Sequence, residues 1–363
     1  MSYSKQCQQE LVQLIKDLCK IASFSHHEQQ KAEYIKKWFS NYGIEAKIDE
    51  VNNVIVELNA NSKELVVFAA HIDTVFPNEV GFDCVEKDGY LYAPGVGDDT
   101  ANVAELMLIT RYVFEQQYAS DKGFLFVFNS CEEGLGNLKG SKYLFDSYKN
   151  ITEFYSFDLG YDEIICKAVG SLRYAITVET EGGHSYSDFG NKNAIVIASQ
   201  LISELYEYQV PTRGKSTYNV GIIEGGTSVN TIAQSAKFFY EIRSDHRDDL
   251  SEMKEHFFDV ISKYDVKVEV LGERPCMGDV DENRMTDIVH RVSSLIQKHT
   301  GKLPKISSGS TDCNTSYACG VCGCCFGGYL GGKEHTLEEW ISISSLEVGM
   351  AILMEFVLSF YNK

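Results

Sequence analysis

Imidazole and carboxylate side chains recur along this chain in short motifs whose types and spacing suit metal chemistry. His71 and Asp73 fall in A-A-H-I-D-T-V, Asp98 in G-V-G-D-D-T-A-N, and Glu132 with Glu133 in N-S-C-E-E-G. Asp158 follows in Y-S-F-D-L-G-Y, and His335 closes the set in G-G-K-E-H-T-L-E-E-W. Two imidazoles and three carboxylates, one of them shared, can hold a pair of Zn²⁺-like ions and leave positions open for water. Because Glu132 and Glu133 are adjacent, one can bind metal while the other takes a proton from that water. Such a set performs metal-assisted hydrolysis. Each piece alone has an ordinary surface reading. Their order carries the weight, since most of them follow an apolar run.

The elements that must position these side chains are legible as hydrophobic patterns. E-L-V-V-F-A-A runs directly into His71, and F-L-F-V-F, residues 124–128, leads into Cys131-Glu132-Glu133. Continuous apolar runs of this length are expected of strands covered on both faces. Leu11, Leu14, Ile15 and Leu18 mark an opening amphipathic helix, and a second spans about 28–42 before Gly43. Asp99 or Thr100 is expected to cap the helix that follows Asp98. Strands alternating with helices predict an α/β domain with a mixed, largely parallel sheet between helices, binding ligands beyond the carboxyl ends of its strands.

From about Gly170 the order becomes strand, helix, two strands, helix, strand. This β-α-β-β-α-β pattern predicts a ferredoxin-like sandwich. A helical pattern resumes at 284–299, and His335 returns the chain to the first set of motifs. The expected organisation is a discontinuous catalytic domain, 1–169 and 277–363, interrupted by a lid of residues 170–276.

Composition narrows the partners. A net charge of −19 on 363 residues disfavours nucleic acid and anionic membrane surfaces, which need clustered Lys and Arg. The amino end shows no basic start followed by an apolar run, and residues 349–360 are too short to span a bilayer. A cytoplasmic location is the expectation. Eleven cysteines then read as free thiols. The Cys319, Cys322, Cys324 and Cys325 group has two overlapping C-x-x-C spacings that share Cys322, so it reads as a buried strand sooner than a thiolate metal site.

The order of motifs closely resembles the M20 family of metallopeptidases and amidohydrolases, over essentially the whole chain and nearest its tripeptidase and carboxypeptidase branches. The resemblance implies a two-zinc site, with Co²⁺ or Mn²⁺ also possible. His71, Asp98 and Asp158 match the ligands of one ion, and Asp98, Glu133 and His335 those of the other. Glu132 matches the general acid/base and Asp73 the carboxylate that orients the first histidine. The peptide after the bridging aspartate is commonly cis in the family. In the lid, G-G-H-S places His184 at a histidine that reaches the partner's active site, G-G-T-S-V-N-T-I aligns Asn230 with a substrate-binding asparagine, and E-I-R aligns Arg243 with an arginine that holds a substrate carboxylate. G-S-T-D-C-N resembles the family's T-D-x-N loop. Thr100, Asn102 and Cys131 depart from the usual residues, which bears on substrate choice and not on the ligands.

What the resemblance implies is hydrolysis of peptide bonds in small peptides, by a homodimer joined through the lid. Asp158 is the hint, since relatives acting on N-acyl amino acids tend to carry Glu there. The alternative is an N-acyl amino acid amidohydrolase on the same site. A non-catalytic binding protein is remote, because Glu132 and every ligand are retained. A two-metal phosphoesterase uses similar ligands, but Arg243 and the lid pattern favour a carboxylate-bearing substrate.

Overall fold

The computed structural model describes residues 7–77 and 81–361, and the chain divides into two units. The residues up to Lys167 and from Asp279 onward form one, and Ala168–Gly278 forms the other.

The first unit is built on an eight-stranded sheet flanked by helices. Its order is Lys47–Ile48, Val54–Leu58, Gly123–Asn129, Leu65–His71, Ile151–Ser156, Cys322–Cys325, Glu163–Ala168 and Lys305–Gly309. The four strands from Gly123–Asn129 to Cys322–Cys325 are mutually parallel. Antiparallel pairs flank them. Leu65–His71 and Gly123–Asn129 are buried at every residue, which is why both are continuously apolar in sequence. Phe68 centres this core, with the rings of Phe126, Tyr155 and Phe157 at 5.6–5.8 Å.

Cys322–Cys325 is a buried strand in the middle of the sheet, and all eleven cysteines are free. Its small residues have a steric cause. A Cβ at Gly323 would run into the Phe154 carbonyl of the neighbouring strand, so only glycine fits there. No candidate metal group among the described residues includes a cysteine.

The second unit is an antiparallel four-stranded sheet, ordered Ser216–Gly225, Ser235–Ser244, Gly170–Glu179 and Val266–Arg274. Helices Ala194–Tyr206 and Arg247–Ile261 pack on it over a core that includes Tyr174, Ile176, Leu201, Phe238 and Phe257. Chain order and strand neighbours are those of a ferredoxin-like sandwich. The first helix is capped by Asn193, whose side chain accepts from the Ile195 N–H at 3.0 Å.

Two features differ from expectation. Neither Asp99 nor Thr100 caps the helix after Asp98; it begins at Asn102 without a side-chain cap, after a non-helical kink at Asp98 and Asp99. Asp99 is committed elsewhere, accepting from the His71 N–H at 2.9 Å and the Asn102 amide at 2.7 Å. A small sheet of Val85–Lys87, Tyr90–Tyr92, Trp340–Ser342 and Gly331–Gly332 also forms, from runs too short to show a strand period. No helix among the described residues is long and apolar enough to cross a membrane.

Candidate metal centre

His71 is the last residue of its strand and pairs across the parallel ladder with Asn129, the last residue of the next. Glu132 and Glu133 therefore emerge from the same edge of the sheet, and Asp158 follows just beyond the end of Ile151–Ser156. Asp98 arrives on a turn that Glu339 holds in place. One Glu339 oxygen accepts from the Gly95 N–H at 2.6 Å, the other from Gly97 and Asp98 at 2.8 and 2.9 Å. The Asp98–Asp99 peptide is cis.

At the centre, one carboxylate stands between two imidazoles. Asp98 Oδ1 is 3.0 Å from His71 Nε2, and Asp98 Oδ2 is 3.0 Å from His335 Nε2. Glu133 Oε1 lies 3.1 Å from the same His335 nitrogen. Ligand atoms of His71, Asp98 and Glu133 lie within 4.8 Å of one another, and so do those of His71, Asp99 and Asp158. His71, Asp98, Glu133 and Asp158 are buried, whereas the His335 side chain is 56% exposed, so the centre opens to solvent on that side.

Asp73 organises the acidic loop from beneath. Its carboxylate accepts from Ser25 Oγ at 2.7 Å and from the N–H groups of Glu132 and Glu133, each at 2.9 Å. It also faces His71 Nδ1 at 3.5 Å, and the Asp73 carbonyl is 3.1 Å from that nitrogen. A proton on Nδ1 satisfies that carbonyl and would leave the Nε2 lone pair available to a metal ion. Burial raises Asp73, but the hydrogen bond with His71 and its other donors outweigh it and hold the carboxyl below its usual range.

The electrostatics of the centre favour cations. Burial, reinforced by Asp98 and Glu133 and opposed by His71, pushes Asp158 up to about 7. Burial and Asp98 also raise Glu133. Hydrogen bonds to Asp98 and Glu133 hold the His335 imidazolium up at about 11. Among the described residues, no lysine or arginine is paired with Asp98, Glu133 or Asp158. Carboxylates crowded in this way around two imidazoles repel one another. Divalent ions would relieve the same repulsion, and the donor set of imidazole nitrogen and carboxylate oxygen fits them.

Several residues around the centre carry no sequence signal of their role. Glu339 follows another glutamate in H-T-L-E-E-W and looks like half of a solvated pair. Glu28 Oε1 accepts from the N–H groups of His26 and Cys131 at 2.8 and 3.1 Å and lies 3.2 Å from the Cys131 thiol. Asn102 spends its amide on Asp99 and the Leu159 carbonyl, and its oxygen accepts from Gly328 at 2.7 Å. Two departures from the family pattern, Asn102 and Cys131, are thus built into the scaffold of the site. Asp312 of the T-D-x-N loop is buried and accepts from Asn129 at 2.5 Å.

His184, Asn230 and Arg243 all belong to the second unit. His184 is on a two-residue strand paired with Thr231–Ile232, and its Nδ1 accepts from the N–H groups of Tyr186 and Ser187. The Ser185 N–H donates to the Asn230 carbonyl at 3.0 Å, so His184 and Asn230 are neighbours. Arg243 stands apart from them. It lies near the far end of Ser235–Ser244, where its guanidinium pairs with Glu241 at 3.0 Å.

A family model described as peptidase family M20/M25/M40 matches residues 67–359. Succinyl-diaminopimelate desuccinylase of Wolinella succinogenes is 20% identical over 373 residues, covering 95% of this chain and 98% of its own. Among solved structures, a tripeptidase from Staphylococcus aureus superposes with a TM-score of 0.74 at 23% identity, covering 96% of this chain and 97% of that one. A dinuclear metal-binding M20 peptidase from Bacillus subtilis gives 0.65 at 17% identity, covering 98% and 99%.

Proposed function

The chain belongs to peptidase family M20/M25/M40, and on that premise we propose that it is a two-metal hydrolase of peptide bonds in small peptides. One observation carries the reading: Asp98 stands 3.0 Å from each of two imidazoles contributed by distant parts of the chain. His71, Asp98 and Asp158 would hold one ion, and Asp98, Glu133 and His335 the other; zinc suits these donors, as do Co²⁺ and Mn²⁺. When bound, such a pair polarises the amide carbonyl and makes water acidic enough to supply hydroxide at neutral pH.

The protein's own groups do the rest. Glu132, left out of the ligand set with its N–H anchored on Asp73, accepts the proton of the attacking water and returns it to the leaving nitrogen. Positioned proton transfer of this kind contributes ~10²- to 10⁴-fold. Asp73 fixes the Glu132–Glu133 backbone and the His71 ring together, so acid/base and ligand keep their spacing. His184 donates to the developing oxyanion, and Arg243 exchanges Glu241 for the peptide's terminal carboxylate.

The second unit supports a two-fold dimer. His184 and Asn230 lie at the Glu179/Ser235 end of its sheet, and Arg243 at the Gly170/Ser244 end. From Ser235 to Arg243 is roughly 27 Å at the usual strand rise of about 3.3–3.4 Å per residue. A small peptide cannot touch both ends of one copy, but it can meet His184 and Asn230 of one copy and Arg243 of the other. Ser216–Gly225 is an edge strand with Ile222 and Ile223 exposed, a surface suited to pairing with its own copy.

The likeness to a desuccinylase favours a second reading, hydrolysis of N-acyl amino acids on the same centre. Asp158, in place of the Glu usual among acylamino acid hydrolases, sets the order of the two. The test is to incubate metal-loaded protein with di- and tripeptides and with N-acetyl and N-succinyl amino acids, identifying products by mass. Peptide cleavage is expected. Turnover confined to the N-acyl compounds would install the second reading, and none at full metal loading would remove both.

A further inference from the structure

Beyond the strand Gly123–Asn129, four consecutive N–H groups all donate to side-chain oxygens. Ser130 donates to Asn53 at 3.0 Å, Cys131 to Glu28 at 3.1 Å, and Glu132 and Glu133 to Asp73, each at 2.9 Å. Asn53, Glu28 and Asp73 are fully buried. We infer that Glu28, acting through Cys131, is a positioning residue for the general acid/base Glu132. The assignment rests on Glu132 being the base proposed above and adds the group that aims it.

Cys131 is where the chain turns. Its φ of 59° lies in the left-handed region, which a side chain of this kind enters only when its surroundings hold it there. Gly136 supplies one hold. A Cβ there would lie 2.6–2.7 Å from the Cys131 backbone, so the loop closes directly against the turn. Glu28 supplies the other. Its Oε1 accepts from the His26 N–H at 2.8 Å and the Cys131 N–H at 3.1 Å, and it lies 3.2 Å from the Cys131 thiol. One buried oxygen thus takes both polar hydrogens of Cys131. A thiol donates at this place, where a carboxylate would repel Glu28.

The same turn of the chain also reaches the far side of Glu132. Ser25 Oγ donates to Asp73 and lies 3.2 Å from the Glu133 carbonyl. Residues 25–28 therefore hold the loop at Cys131 and at Glu133, with Glu132 between. Without the Glu28 acceptor, two donors of Cys131 lose their partner and the left-handed turn is free to relax. The Glu132 carboxylate stands at the end of its side chain, so a small rotation at Cys131 carries it off its place. A misplacement of about 1 Å at a reacting group costs about 10²-fold. Glu133 keeps its N–H on Asp73 and its carboxylate by His335, so the ligand stays when the base is displaced.

The test uses metal-loaded protein and whichever peptide or N-acyl compound it turns over best. Glu28→Leu removes the acceptor and should lower kcat about 10²-fold, with KM within about threefold of the parent and about two metal ions per chain. Glu28→Gln keeps an oxygen for all three donors and should restore kcat to within about threefold. If Glu28→Leu does not fold, Cys131→Gly carries the same test, because glycine takes this φ freely and loosens the turn. It should lower kcat about tenfold, and Cys131→Ser should recover most of it. A cycle with Glu132→Gln separates positioning from general disruption. If Glu28 acts through Glu132, adding Glu28→Leu (or Cys131→Gly) to Glu132→Gln should cost less than about threefold. An equal loss in both backgrounds would overturn the inference, as would a parental kcat in the folded variant or an equal loss in Glu28→Leu and Glu28→Gln. So would a loss spread over metal content and KM as much as kcat. Glu132→Gln that keeps the parental rate would remove the base assignment itself, an outcome the first arm of the cycle reads separately.

Discussion

Glu132 and Glu133 are neighbours with the same side chain, and both N–H groups are anchored on Asp73. Their division of labour therefore rests on where each carboxylate goes, and Glu133 goes to His335. Glu132→Gln keeps the size and removes the proton acceptor, so kcat should fall by about 10²-fold or more with metal content near two per chain. Glu133→Ala should instead lower the metal content itself, measured by atomic absorption. Retention of rate by Glu132→Gln would refute the base assignment. Glu105, on the helix that follows Asp98, is a different kind of acid. It is fully buried, and neither carboxyl oxygen has a hydrogen-bond partner among the described residues. Burial alone raises it well above the usual carboxylate range. With the folded pKa above the unfolded one, its cost is absent below the ordinary carboxylate pKa and grows as pH rises towards the folded value, by about 1.4 kcal/mol per pH unit. Glu105→Gln should thus gain stability over the parent at pH 8 and little at pH 4.5, read as the difference in urea-unfolding free energy. An equal difference at both values would place the carboxyl's proton elsewhere.

Elements decide which parts of the site could be read from the chain. Where a candidate ligand ends or follows a fully buried strand, apolar continuity marks it, as with His71 after Leu65–Ala70 and Glu133 after Gly123–Asn129. The β-α-β-β-α-β unit is legible for the same reason, since its strands and helices are long enough to show their periods. The small sheet around Tyr90–Tyr92 and Trp340–Ser342 is not, because three residues carry no period. Glu338 and Glu339 show the limit most sharply. In sequence they are equivalent, yet Glu338 is exposed and paired with Lys333, while Glu339 is buried on three N–H groups of the Asp98 turn. Only the tertiary pairing of Trp340 with Tyr92 selects between them. Asp99 misleads as a helix cap because His71, distant in sequence, claims its carboxylate. Since Glu339 fixes the turn that presents Asp98, Glu339→Gln puts an NH₂ group where three donors converge. Metal affinity and kcat/KM should drop by about 10- to 100-fold, with about 1–3 kcal/mol lost in denaturant melts. Unchanged metal affinity would show that the turn holds without it.

At the scale of the whole molecule, the proposal is that a working centre draws on two copies of the chain. The proposed scheme assigns the donor for the oxyanion to His184 of the second unit, and the strand between Asn230 and Arg243 is too long for a small peptide to reach both ends in one copy. The exposed apolar edge at Ile222 and Ile223 would give such copies a surface to share. The arrangement has a consequence that a lid serving its own centre lacks. Mixing a His184→Ala chain with a Glu132→Gln chain gives, after subunit exchange, about half heterodimers. If His184 crosses to the neighbour, one centre of each heterodimer carries both defects and the other carries neither. Activity should then recover to about a quarter of the parental value, although each variant alone is impaired. If His184 serves its own copy, every centre in the heterodimer keeps one defect and nothing is recovered. Sedimentation at working concentration supplies the companion measurement. An active protein that remains monomeric, or exchange proven by mixed labels without recovery, would return His184 to the ordinary role of a turn residue held by the N–H groups of Tyr186 and Ser187.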